Sequence, residues 1–363
     1  MRASLPTPKR ELVERDDGKV SRNPIIDIGG QPFRVGEKGV VELPIGSLID
    51  YQPVTMIVHV LRGKNPGPRL LLTAGIHGDE LIGAEILRRL LKSKNLRKLS
   101  GTLIVVPVVC MPAFLSRTRY LPDRRDLNRQ FPGSCDGSLG GRLAATFADE
   151  VVSKCSHAID FHAGALGRPN LPQIRVSPND KGGLELARAF QPPVIIETGL
   201  RDGSLRKLFS TRKIPSLLYE AGEALRLDSS PVRYGLRGVF SVLRHLGMLP
   251  PYQGKSTRKS RTVIATGTTW VRAPQGGLFT SLIGLGKAVS PGTKLGLVGD
   301  PFGRHETPVI SNLGGIVIGI NRMATADEGD ALFHVATTRN SARAEAHIQR
   351  SDELLEEQTD ALQ

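Results

Sequence analysis

The apolar positions of the chain follow two alternating patterns. Runs that are apolar at nearly every position predict buried strands, and they cover residues 54–61, 69–74, 103–109, 157–162, 193–197 and 215–220. Ile82, Ile86 and Leu90 recur every four residues and predict an amphipathic helix that begins near Asp79. Similar spacing predicts helices over residues 139–151 and 232–246. This alternation predicts a largely parallel α/β sheet that helices cover on both faces.

The pattern changes after residue 250. Residues 250–262 are polar, basic and rich in turn-forming residues, which predicts a linker. Short apolar runs separated by glycine then predict a small all-β domain over residues 263–340. The ends are polar: we expect a flexible N-terminal extension over residues 1–22 and a tail or frayed helix over 341–363. The α/β domain would occupy residues 23–250.

Composition narrows the class of protein. The 363 residues are 39% hydrophobic and 23% charged, which is typical of a soluble globular chain, and no apolar run approaches the roughly 20 residues of a membrane span. Three distant cysteines without a CxxC pair predict reduced thiols. Together with the absence of an apolar signal-peptide core at the N-terminus, they predict a cytoplasmic protein without a membrane partner.

The net charge of +14 is compatible with nucleic acid or anionic small molecules as partners. The basic residues are spread widely, aromatic residues make up only 5%, and no nucleic-acid-binding motif is present. The sequence therefore favours small anionic substrates over nucleic acid, with a solvated basic surface as the simplest alternative.

Two motifs at predicted strand ends carry metal-binding residue types. GIHGDE at 75–80 places His77 and Glu80 three residues apart, at a turn from strand to helix. DFHAG at 160–164 places His162 at the end of another strand. Ligand crevices form at the carboxyl ends of strands in α/β sheets, and imidazole and carboxylate groups are good zinc ligands. Either motif alone is weak, because a lone histidine is more often structural.

An arginine-rich segment, RTRYLPDRRDLNRQFPG, covers residues 117–133. Guanidinium groups bind carboxylates in a bidentate manner, so this segment could hold an anionic substrate. A solvated basic loop is the alternative.

GIHGDE, DLNRQFPG, DFHAG and YEAGE, in this order, resemble the motifs of the succinylglutamate desuccinylase/aspartoacylase family. This family is a branch of the zinc-carboxypeptidase-like hydrolases. The resemblance covers roughly residues 45–250, and the β-rich C-terminal part resembles the second domain of the family. It implies a zinc-carboxypeptidase-like mixed sheet flanked by helices, followed by a small all-β domain.

The resemblance also implies roles for individual residues. His77, Glu80 and His162 match the ligands of one zinc ion per chain. Glu220, in YEAGE, matches the general base, and Asn128 and Arg129, in DLNR, match residues that hold the substrate carboxylate. Arg119 matches the arginine that stabilises the polarised carbonyl. The implied function is hydrolysis of the amide bond of a small, anionic N-acyl amino acid or N-acylated amine by metal-activated water.

Alternatives stay open for some of these roles. Arg117, Arg124 and Arg125 compete with Arg119, and Glu197, in a similar sequence context, competes with Glu220. A zinc carboxypeptidase acting on peptide C-termini would need the same residues. A non-catalytic zinc-binding or basic interaction protein is the other alternative, and a homo-oligomer is possible.

Overall fold

The structure, a computed structural model, describes residues 25–252 and 262–357, the last four by their backbone alone. The predicted N-terminal extension, most of the predicted linker and the end of the predicted tail lie outside these residues.

The described residues form strands and helices in the following order. Ten strands precede the predicted linker: β1 (Ile26–Ile28), β2 (Gln31–Phe33), β3 (Lys38–Ser47), β4 (Pro53–Arg62), β5 (Arg69–Ala74), β6 (Thr102–Val106), β7 (His157–Gly164), β8 (Asn170–Val176), β9 (Val194–Glu197) and β10 (Ser216–Glu223). Nine follow it: β11 (Val263–Ala265), β12 (Gly267–Arg272), β13 (Gly277–Ser281), β14 (Ala288–Val289), β15 (Lys294–Gly299), β16 (Glu306–Ile310), β17 (Gly315–Ile320), β18 (Thr325–Ala326) and β19 (Ala331–Thr337). The α-helices are α1 (Leu81–Lys92), α2 (Met111–Ser116), α3 (Leu139–Thr146), α4 (Lys181–Phe190), α5 (Leu205–Thr211), α6 (Ser229–His245) and α7 (Ser341–Glu357).

A large mixed sheet organises the fold. Its centre is parallel, in the order β6-β5-β7-β10, and antiparallel strands extend it on both sides. β4 and β3 continue it beyond β6, while β8, β17, β19 and β12 continue it beyond β10. The carboxyl ends of β5, β7 and β10 therefore meet at one edge, which is where ligand crevices form in such sheets.

The two faces of the sheet bury different cores. Leu70, Leu72 and Phe161 point to the face covered by α1, α4 and α6. Leu71 and Ala158 point to the opposite face, which packs against α3 and α5. Since side chains alternate along a strand, Asp160 and His162 share the second face with Ala158. The polar residues of the edge thus lie on the side of α5.

Strand β8 was not predicted from the sequence. It carries Pro172, Gln173 and Arg175, and these interrupt the apolar pattern of a buried strand. The strands β10 and β9 pair with it along its two edges, so it is an interior strand in spite of this composition.

The strands after the predicted linker form two groups. β17, β19 and β12 join the large sheet, where Gly319 of β17 pairs with Asn170 of β8. β16, β15, β13 and β18 form a separate sheet. The predicted fold, a mixed α/β sheet followed by further β structure, is confirmed; the domain boundaries themselves stay predictions.

The predicted tail contains a helix, α7, in the described residues. Tyr234 of α6 donates a hydrogen bond of 2.9 Å to Asp352 of α7, so this helix packs against the α/β part. Within the described ranges, no helix is both long and apolar enough to cross a membrane. A cytoplasmic location and a homo-oligomer stay predictions.

Candidate metal centre and catalytic site

The turn after β5 positions His77 and Glu80. Gly78 lies between them, and a Cβ atom there would come within 1.9 Å of the backbone of Ala113 in α2. A side chain is therefore excluded, and the turn packs directly on α2. Its amide also donates to the carbonyl of Thr118, 2.9 Å away, which fixes the turn against the start of the arginine-rich segment.

His77, Glu80 and His162 converge at the sheet edge. The two oxygens of Glu80 contact the two histidines: Oε1 lies 2.7 Å from Nδ1 of His77, and Oε2 lies 2.8 Å from Nδ1 of His162. One potential ligand atom from each residue lies within 4.8 Å of the other two. All three side chains are buried. The structure thus brings together the three residues that the two motifs nominated.

A second carboxylate contacts the other ring nitrogen of each histidine. Oδ1 of Asp126 lies 3.1 Å from Nε2 of His77, and Oδ2 of Asp160 lies 2.9 Å from Nε2 of His162. Asp160 is itself fixed by the hydroxyl of Thr73, which donates across 2.8 Å. Both rings are therefore oriented with Nδ1 toward Glu80, the arrangement that carboxylate–histidine pairs give to metal ligands.

The charges of the cluster are strongly coupled. Burial acts against the charged form of each group, but the neighbouring opposite charges outweigh it. Burial alone would lower the pKa of His77, yet Glu80 and Asp126 raise it; Asp160 and Glu80 likewise raise the pKa of His162. Burial would raise the pKa of Glu80, but the two histidines hold it well below its usual range. The charged forms of these three residues therefore stabilise one another.

The three residues fit a zinc ion by their chemistry. Two imidazole nitrogens and one carboxylate oxygen form a ligand set found in catalytic zinc sites, which keep a further position open for water or substrate. A buried carboxylate between two imidazoles is otherwise costly unless protons or a cation balance its charge. The cluster could therefore hold a metal ion.

Arg119 reaches the same cluster. Its Nη1 lies 3.6 Å from Oε1 of Glu80, and its Nη2 donates to Oδ2 of Asp126 across 3.0 Å. The competing arginines lie elsewhere: Arg117 and Arg124 are exposed at left-handed turn positions, and Arg125 lies 3.8 Å from Asp123.

Glu220 lies beside His162 in the sheet, because the two residues are paired in the parallel ladder of β10 and β7. Nδ2 of Asn170 donates to its Oε1 across 2.9 Å, and Nε of Arg175 lies 2.8 Å from its Oε2. The competing carboxylate Glu197 ends β9, two strands further from β7, and pairs with Val176, whose side chain faces the opposite core. Of the two glutamates, only Glu220 shares a face with His162.

Asn128 and Arg129 lie at the rim of the site. The side-chain oxygen of Asn128 accepts a hydrogen bond of 2.9 Å from the amide of Leu205, at the start of α5. Arg129 is exposed, and its Nη1 donates to the carbonyl of Asn128. Asn128 thus joins the arginine-rich segment to α5.

Comparisons with known proteins identify the relatives of this chain. The profile of the succinylglutamate desuccinylase/aspartoacylase catalytic domain matches residues 66–246. The chain is 25% identical over 318 residues to the N-alpha-acetyl-L-2,4-diaminobutyric acid deacetylase of Halomonas elongata, covering 83% of this chain and 91% of that protein.

Solved structures share the fold over nearly their whole length. The succinylglutamate desuccinylase/aspartoacylase of Rhodobacter sphaeroides superposes with a TM-score of 0.75 at 27% identity, covering 84% of this chain and 97% of its own. The product-bound ectoine utilization protein EutE (DoeB) of Ruegeria pomeroyi superposes with a TM-score of 0.76 at 26% identity, covering 88% and 100%.

This chain belongs to the succinylglutamate desuccinylase/aspartoacylase family. The family resemblance inferred from the four sequence motifs is thereby confirmed. Membership also places the chain among the hydrolases that remove acyl groups.

The structure adds polar residues that the sequence reasoning missed in this family member. Asp126 precedes Asn128 within DLNR, but the motif gave no sign that it contacts His77. Asn170, Arg175 and Arg206 surround Glu220, yet they stand in segments without a motif. A search for polar residues on an interior strand could have found the first two, since β8 carries them between apolar positions.

Proposed function

We propose that this protein is a zinc-dependent amidohydrolase that cleaves the amide bond of a small N-acyl amino acid or N-acylated amine. One observation supports this most directly: Glu220 is paired in the sheet with His162, beside the cluster of His77, Glu80 and His162. A metal site and a carboxylate that can move a proton therefore face the same space.

The residues have the following proposed roles. His77, Glu80 and His162 would hold one zinc ion, which when bound polarises the acyl carbonyl and lowers the pKa of a water molecule toward about 7. Glu220 would accept the proton of the attacking water and pass it to the leaving amine. Arg119, whose guanidinium lies 3.6 Å from Glu80, would stabilise negative charge on the carbonyl oxygen. Asn128 and Arg129 would contact a substrate carboxylate at the rim.

The substrate class follows from charge and from the relatives. The net charge of +14 and the arginines around the site favour an anionic substrate. The similar protein of Halomonas elongata is named for removal of an acetyl group from diaminobutyric acid, so a small N-acyl amino acid is the class to test first.

The experiment compares the purified protein with three variants, His77→Ala, Glu220→Gln and, as a control, His305→Ala. Each is assayed for zinc content and for hydrolysis of acetyl-, succinyl- and formyl-amino acids. His305 is exposed in a loop outside the cluster, so its loss should change neither quantity.

We expect about one zinc ion per chain in the unmodified protein, loss of zinc and turnover in His77→Ala, and loss of turnover with retained zinc in Glu220→Gln. Undiminished turnover in Glu220→Gln would exclude its role as base. Release of C-terminal residues from peptides, with no cleavage of N-acyl amino acids, would instead favour the carboxypeptidase.

A further inference from the structure

A cluster of polar groups, some without hydrogen-bond partners in the described residues, lies beyond Glu220 on the side away from His162. Gln173 follows Glu220 in the same row across the sheet, since the two residues are paired in the antiparallel ladder of β8 and β10. Paired residues share a face, so Gln173 lies on the face that carries His162 and Glu220. It is fully buried, and neither atom of its amide has a hydrogen-bond partner among the described residues.

Arg175 lies two residues further along β8, on the same face. Its Nε lies 2.8 Å from Oε2 of Glu220, but the angle lies outside hydrogen-bond geometry. The side chain is 28% exposed, so this guanidinium has access to solvent. The contact is thus an ion pair without good alignment, and a guanidinium forms stronger, bidentate bonds with a carboxylate that it can meet edge to edge.

Arg206 of α5 adds a second positive charge. Burial and repulsion from Arg175 lower the pKa of Arg206 to about 10, although attraction to Glu220 acts in the opposite direction. Asp160, another carboxylate in the vicinity, is occupied by His162 and Thr73. The guanidinium of Arg206 donates to the carbonyl of Thr198 across 3.1 Å, and the amide of Thr198 donates to Val176, which follows Arg175 in β8. Two guanidinium groups therefore lie at this end of β8, and an added anion would balance their charge.

Residues of the C-terminal part of the chain border this cluster. A Cβ atom on Gly319 would come within 2.9 Å of Oδ1 of Asn170 and 3.2 Å of Cβ of His334, so these two side chains meet above this glycine. The ring of His334 stacks on Trp270, and its Nδ1 is buried without a hydrogen-bond partner in the described part of the chain. Burial and the nearby Arg175 lower the pKa of His334 to about 3, so the ring adds no charge.

We propose that Arg175 and Arg206 bind a carboxylate of the substrate, and that this binding draws Arg175 away from Glu220 and frees the base. The proposal rests on the proposed function, in which Glu220 moves the proton. Before substrate arrives, Asn170 and Arg175 occupy both oxygens of Glu220. Full activity thus requires an N-acyl compound that carries a carboxylate. A neutral analogue leaves the ion pair of Arg175 and Glu220 intact.

The carboxylate can belong to the acyl group or to the amino acid, and substrates distinguish the two. The metal-loaded enzyme is assayed on N-acetyl and N-succinyl derivatives of one amino acid, each with the free amino-acid carboxylate and with its carboxamide. For the carboxylate that Arg175 binds, we expect the free acid to be preferred over its carboxamide by about 10- to 100-fold in kcat/KM, since hydrogen bonds to charged groups contribute this much. The end at which the preference appears identifies the source.

The variant Arg175→Met should reduce this preference to within about threefold, mainly through loss of activity on the carboxylate substrate. Its kcat/KM for the carboxamide should fall by a smaller factor than that for the carboxylate substrate, because only the latter uses Arg175 for binding. Arg188→Met removes an exposed arginine from α4 and should keep the preference. A general loss of folding lowers both rates alike, so the ratio of the two kcat/KM values reports on carboxylate binding alone. A full preference in Arg175→Met, or its loss in Arg129→Met instead, would overturn the proposal.

A binding measurement keeps the test independent of turnover. Succinate is titrated into the unmodified enzyme, Glu220→Gln and the double variant with Arg175→Met. Removal of the competing carboxylate should tighten succinate binding several-fold in Glu220→Gln, and the double variant should lose this gain. Equal affinities in all three proteins would refute the binding of a carboxylate by Arg175. This result would count even if the enzyme hydrolysed none of the substrates offered and the proposed function itself failed.

Discussion

Asp126 offers the sharpest test of how the metal site is built. Its Oδ1 lies 3.1 Å from Nε2 of His77, and its Oδ2 accepts from Arg119 across 3.0 Å. The change Asp126→Asn keeps the shape of the side chain and an oxygen that can accept from the amide of Asn128. It removes the negative charge that orients His77 and strengthens its binding to a metal.

The expected effect is a loss of metal affinity. Loss of a carboxylate behind a metal-bound histidine weakens metal binding by about 10- to 100-fold, which corresponds to roughly 1.4–2.7 kcal/mol. Asp126 is partly exposed, whereas Asp160 is buried, so we expect Asp126→Asn at the lower end of this range and Asp160→Asn at the upper end.

The assay is competition for zinc between the protein and a chelator of known affinity. Asp123→Asn is the matched control, because Asp123 lies in the same segment and its carboxylate contacts Arg125, from whose amide it accepts a hydrogen bond of 3.2 Å, rather than His77. If Asp126→Asn bound zinc as tightly as the control, His77 would not depend on this carboxylate, and the role inferred from the 3.1 Å contact would be wrong.

Two further predictions concern protons and packing. The pKa values of His77 and His162 are raised in the metal-free protein, and a metal binds the deprotonated rings. Zinc binding should therefore release protons, and its affinity should fall as the pH falls. Calorimetry in buffers of different ionisation enthalpy should detect the release, whereas a heat independent of buffer would contradict it. Gly83→Ala should destabilise the fold by about 1–3 kcal/mol in denaturant unfolding, although alanine favours helices, since the new Cβ would lie 2.5 Å from Cβ of Phe161. Gly284→Ala, in open space, should be neutral, and equal midpoints for both variants would contradict the packing argument.

The strands and helices that stand out most clearly in the sequence are those whose side chains serve mainly to pack the core. Strands β5 and β6 have continuous apolar runs because both of their faces are covered, and α1 shows its period because one side packs on the sheet. His77 and Glu80 were visible for a related reason: they lie three residues apart in one turn, so their proximity is a local property of the chain.

The residues that were missed depend on contacts between distant segments. Asp126 lies 49 residues from His77 in sequence, and Asn170 lies 50 residues from Glu220. Strand β8 escaped prediction because its polar side chains, the feature that hides it in the hydrophobic pattern, are the ones that face the site. Sequence periodicity therefore failed at β8, where Pro172 and the polar side chains on one face interrupt the apolar run.

This same strand couples the two parts of the chain. Asn170 contacts Glu220 on one side, and its pairing with Gly319 on the other joins β8 to the strands after the predicted linker. A methyl group at Gly319 would come within 2.9 Å of the Asn170 oxygen, so the space at this glycine sets the position of a group that holds the proposed base. The C-terminal strands, whose apolar pattern shows no catalytic motif, thus meet the hydrogen-bond partner of Glu220 at a glycine, which leaves room for the side chain of Asn170.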